Sequence, residues 1–161
     1  DPELTALLAE IDMLELRPTD AARRLAPLAR TDRRAGWLVT LSALAAGDRK
    51  AGPTLRSLAA GTKPGEESLA ELGWILEGTL PRVSTTRPEQ LLDAARVALD
   101  AHRKPEAALA LYACRRIGED TAKLQAHLDR LARPVVKPGV RGVPGGRGVP
   151  GVPGVPRSPA R

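Results

Sequence analysis

Apolar residues recur three and four positions apart almost from the first residue of this chain, and that spacing predicts helices. Leu4, Leu7, Leu8 and Ile11 make an amphipathic stripe to about Leu16. Asp1-Pro2-Glu3 opens it with a capping acid, a proline at the first helical position and an acid in the first turn. Arg17-Pro18 ends it, because the residue before proline avoids the helical region. A second helix starts at Thr19 or Asp20 and carries Ala21, Leu25 and Leu28, with Pro27 shortening or kinking it. Thr31 is the expected cap of a third, with Trp37, Leu41 and Leu44 on one face and Gly47 as its stop. Asp48 opens a fourth, carrying Ala51, Leu55 and Leu58 to Gly61. Leu69, Leu72 and Leu76 mark a fifth, ending at Gly78, and 80–86 reads as an irregular connection with Thr86 as a cap.

The clearest stretch is Pro88 to Gly118. Leu91, Ala95, Ala98 and Leu99 share one helical face, and Ala107, Leu111 and Cys114 continue the spacing after a break at His102-Arg103-Lys104-Pro105. Small residues on both arms allow the two backbones to approach closely. Thr121 starts a last helix with Leu124, Leu128 and Leu131, and Pro134 ends it. Eight helices with short connections give an all-α domain over 1–133.

Aligning Ala9, Thr40, Gly73 and Ala95 puts small residues at one place in four first arms, with the first two steps close to a 34-residue period. Gly47-Asp48 resembles the glycine-acid turn of tetratricopeptide repeats. Gly52 and Ala59 take small-residue places, Pro64 resembles the repeat-closing proline, and Leu72-Gly73 resembles the leucine-glycine pair of a first helix. The third unit has no clear second helix and the last step is short. The resemblance implies antiparallel helical hairpins stacked as a right-handed tetratricopeptide-like array, which holds a partner segment on its surface. A compact irregular helical bundle is the competing arrangement.

Composition sharpens this picture. Phe is absent and aromatics are 2% of the chain, so Leu and Ala must carry the packing. One cysteine excludes an intrachain disulfide. No apolar run is long enough for a membrane span, and the absence of a signal-like segment favours the cytoplasm. The start at Asp1 without Met reads as a processed or excised fragment. The net charge of +6 belongs mainly to residues 134–161, whose five cations and no acid leave 20 basic and 19 acidic residues in 1–133.

Those last 28 residues contain seven prolines and seven glycines and form an irregular, extended Pro/Gly-rich tail. From Gly139 to Pro156 they read as six Gly-X-Y triplets, which resemble a short collagen-like repeat. A solvated linker or recognition arm fits this material, and a homotrimer through the triplets is the less favoured reading.

Catalytic chemistry finds little footing. His102 and His127 fall on helix faces, Cys114 takes a small-residue packing place, and no metal-ligand spacing or phosphate-cradling loop occurs. No cofactor is expected. The candidate partner-binding residues are Lys137, Arg141, Arg147 and Arg157 in the tail and Arg115 and Arg116 on a helix. These observations favour a non-enzymatic scaffold or adaptor with a protein partner inside a larger assembly, the tail being a second contact arm. Nucleic-acid or polyanion binding through the basic tail, or a structural subunit role, are the alternatives. No aromatic residues are interleaved with the tail cations for base stacking.

Overall fold

The computed structural model describes residues 1–133, which are all-α with no strand among them. The helices are α1 (Pro2–Leu14), α2 (Pro18–Leu25), α3 (Arg33–Ala45), α4 (Gly52–Ala60), α5 (Glu67–Glu77), α6 (Pro88–Asp100), α7 (Lys104–Arg116) and α8 (Ala122–Ala132). Two 3₁₀ turns, Leu28–Arg30 and Arg49–Ala51, precede α3 and α4. No helix among the described residues is long and apolar enough to cross a membrane. The tail expected over 134–161 lies outside the described residues.

Helix starts follow local chemistry. Asp1 accepts the Glu3 amide, and Asp48 accepts the Lys50 amide, both at 2.9 Å. Asp32, one residue after the expected Thr31, caps α3 because its carboxylate takes both the Arg34 and Ala35 amides. Thr86 does not cap α6. Its hydroxyl donates to the Ile75 carbonyl at 2.6 Å, and Gln90 reaches back to accept the Arg87 amide instead.

Helix ends share one device. At Leu16, Gly47, His102 and Gly118 the backbone is left-handed, with φ of 58°, 91°, 58° and 89°. In each case that residue's N–H donates to the carbonyl three back, and the next N–H donates to the carbonyl five back. His102 therefore sits just past α6 rather than on its face, because α6 stops at Asp100.

α7 is the hub of the packing. α1, α3, α5, α6 and α8 all lie against it, and α1–α2, α2–α3 and α6–α7 are the most extensive helix pairs. Ala107, Ala108, Leu109, Ala110, Leu111, Ala113 and Cys114 are each at most 1% exposed, so α7 is apolar nearly all round. Its alanines give neighbouring helices the close approach that larger side chains would deny. A second focus lies on α5, where a Cβ on Gly73 would collide with Leu55 of α4 and sit 3.4 Å from Leu41 of α3.

Ion pairs tie these helices at their ends. Asp12 of α1 is buried and accepts Arg17 at 2.7 Å and Arg24 at 2.9 Å, which fastens α1 to α2 and holds its carboxyl below the usual range. Arg33 grips Glu66 through Nε and Nη2 and also donates to the Gly61 carbonyl at 2.6 Å. That clamp joins the start of α3 to the connection before α5. The Arg33 guanidinium pulls the Glu66 carboxyl down to about 2, assisted by the Lys63 amide.

After α5 the chain folds back on itself, and the Thr85 and Thr86 amides both donate to the Gly78 carbonyl. A Cβ on Gly78 would collide with Thr86 Oγ1 and lie 2.9 Å from Thr85 Oγ1. Gly78→Ala is expected to cost about 1–3 kcal/mol through overpacking, read as a lower urea midpoint at unchanged slope. Glu66 gives a pH signature. Its depressed pKa contributes stability that is complete above about pH 4.5 and is lost as pH falls toward about 2. Glu66→Gln should flatten that part of the acid-unfolding curve relative to the unmodified chain.

Candidate functional site

The apolar stripe that opens the chain faces outward. Leu4, Leu7, Leu8 and Ile11 are 53%, 56%, 36% and 39% exposed, whereas Ala9, Asp12 and Met13 of the same helix are buried. The reason is steric and electrostatic. Small Ala9 and flexible Met13 suit the crowded interior, and Asp12 must turn inward to meet Arg17 and Arg24. With those three inside, the 3.6-residue period sends 4, 7, 8 and 11 to the opposite side. Ala9 and Met13 at i, i+4 were the available signal that α1 carries a second apolar face.

The exposed stripe has an acidic border. Residues 1–16 contain no lysine or arginine, and with Asp12 turned inward the border is made by Asp1, Glu3, Glu10 and Glu15. Glu15 pairs with Arg17, while Glu3 and Glu10 make no ion pair among the described residues. A cluster of four large aliphatic side chains on one helix face is more than the scattered exposure normal for a surface.

A concavity of about 270 Å³ lies between α5 and α6, lined by Leu72, Ile75, Ala94 and Val97 together with Glu71 and Asp93. Beside it stands Glu106, 6% exposed at its side chain, with Arg103 Nε at 3.5 Å and Arg34 Nη2 at 4.0 Å. Burial pushes the Glu106 carboxyl above its ordinary range, and the two guanidinium charges only partly oppose that. Glu106 thus links α3 to the start of α7 as a costly internal pair.

The cations anticipated as partner-binding residues are not gathered at one place. Arg115 is exposed, with Nε donating to Thr121 Oγ1 at 3.2 Å. Arg116 points into the fold, donating to the Ala45 carbonyl at 2.9 Å and to Thr79 Oγ1 at 2.7 Å. It thereby satisfies the C-terminal end of α3 and anchors the segment after α5. Lys137, Arg141, Arg147 and Arg157 lie outside the described residues. His102 is exposed in the turn after α6, and His127 is half-buried on α8.

Compared with family models, curated proteins and solved structures, the chain matches none.

Cys114 is fully buried in α7, and burial, with the Glu119 charge adding to it, pushes its thiol up to about 12. A thiol-reactive dye should therefore label Cys114 only as fast as the chain opens. Labelling at the rate of a free thiol at neutral pH would contradict this packing.

Proposed function

We propose that this chain is a non-enzymatic protein-interaction module whose hairpins α1–α2, α3–α4 and α6–α7 are worn tetratricopeptide-like units. Support for the repeat reading comes from register. Leu16, Gly47 and His102 each stand seven residues after Ala9, Thr40 and Ala95, and all three carry the same left-handed cap. Gly73 holds the corresponding buried place in α5, where no second helix follows before α6. In this reading the units are stacked as a right-handed array that curls inward, since α1 reaches α7.

The observation that carries the functional reading is the outward α1 stripe. Leu4, Leu7, Leu8 and Ile11 keep over a third of their surface in water, although the same helix has a buried face of its own. Such a surface holds a partner by apolar contact, with acids at its rim selecting against acidic partners. The partner belongs to a larger assembly, and the basic tail is a further contact arm.

Leu7→Glu places a charge in the middle of the stripe at an exposed position. Stability should change by no more than about 0.5 kcal/mol. Size-exclusion profiles of source-cell extract should show the unmodified chain in a larger complex and the Leu7→Glu chain released from it. Equal complex formation by both would remove the α1 face from the interaction, and Val83→Glu serves as the exposed control.

A further inference from the structure

We propose that the α1 stripe is a docking site for the chain's own tail, residues 134–161, held there in cis by valine contacts and by its cations against the acidic rim. The proposal concerns what covers α1 and stands apart from whether an outside partner also uses that face.

Three observations converge on this occupant. The first is composition. Apart from proline, glycine, Ser158 and Ala160, the tail is built from seven valines and five cations, and it contains seven of the ten valines in the whole chain. It contains no acid, while α1 and its caps hold no lysine or arginine and keep Asp1, Glu3, Glu10 and Glu15 outside the core. Asp12 is buried against Arg17 and Arg24, and Glu15 is already paired with Arg17. Apolar and basic is the chemistry that an apolar stripe with an acidic rim accepts.

The second is area. A stable homodimer buries about 800 Å² on each partner, well beyond what four partly covered aliphatic side chains offer. A tethered segment escapes that objection. Its effective concentration reaches roughly the millimolar range, so a small contact that fails between separate molecules succeeds within one.

The third is reach. The described chain ends at Arg133, and 28 further residues span up to about 90 Å when extended. A globule of 133 residues has a radius of gyration of about 14 Å, so every part of its surface lies within that span.

A photo-cross-linking amino acid in place of Leu7 in the full chain tests the proposal directly. Equal amounts of ¹⁴N and ¹⁵N chains are mixed, irradiated and mapped by mass spectrometry. The expected result is cross-links from position 7 into 134–161 within chains of one isotope. They should weaken in 1 M salt, where the screening length falls to about 3 Å. Replacing Lys137, Arg141, Arg147, Arg157 and Arg161 together by Glu should abolish them. The same charge reversal should raise binding of an apolar dye by uncovering the stripe, while leaving the helical circular dichroism unchanged.

Cross-links between isotopes would mean that a second copy covers α1 and would overturn the cis arrangement. Absence of tail cross-links would overturn the docking itself, and their persistence after charge reversal would overturn the part given to the cations. Loss of complex formation in Leu7→Glu without tail cross-links would leave an outside partner as the only occupant of the face. Tail cross-links without any complex in extract would instead defeat the interaction-module reading and leave the docking in place.

Discussion

A helix buried nearly all round must be narrow, and α7 meets that demand with four alanines and a cysteine among its interior positions. Five other helices lean on it, so its diameter sets how closely they approach. A larger side chain at Ala107 or Ala110, both fully buried, would force apart the helices packed at that point. The fold has no phenylalanine with which to fill wider gaps, and leucine contacts at short range must do that work. The hub also explains why charged groups appear inside. Glu106 and Arg116 stand at opposite ends of α7, one meeting Arg34 of α3 and the other the closing carbonyl of α3.

Four of the twenty arginines make such ties. Arg17 and Arg24 neutralise Asp12, Arg33 holds Glu66, and Arg116 holds the last carbonyl of α3 and the Thr79 hydroxyl. Bidentate and multi-acceptor geometry suits guanidinium better than ammonium. What remains outward on α1 is the reverse combination, aliphatic and acidic. The same helix therefore joins the core through its small and ionic side and presents its greasiest side to water.

The helical pattern was plain in the sequence because leucine and alanine spacing, prolines at first turns and glycines after last turns all agree. The cores around Trp37, Leu41, Leu44, Leu91, Ala95 and Leu111 lie where periodicity placed them. Direction was the missing information on α1. A stripe of four large aliphatics outweighs Ala9 and Met13 in any local reading, and only the arginines that draw Asp12 inward reverse the helix. The same limit applies to Arg115 and Arg116, adjacent in sequence yet sent to solvent and to the interior by one hundred degrees of helix rotation. Chain order also conceals that α1 touches α7, since nothing local encodes a contact across about a hundred residues.

That distant contact governs how the protein is born. Synthesis proceeds at roughly 5–20 residues per second, so α1 waits several seconds before α7 leaves the ribosome. During that interval the faces of α1, α3 and α5 meant for α7 have no partner, and the nascent chain carries them bare alongside the outward leucines of α1. The packing of α1, α3 and α5 on α7 can close only once that alanine-rich helix has been made.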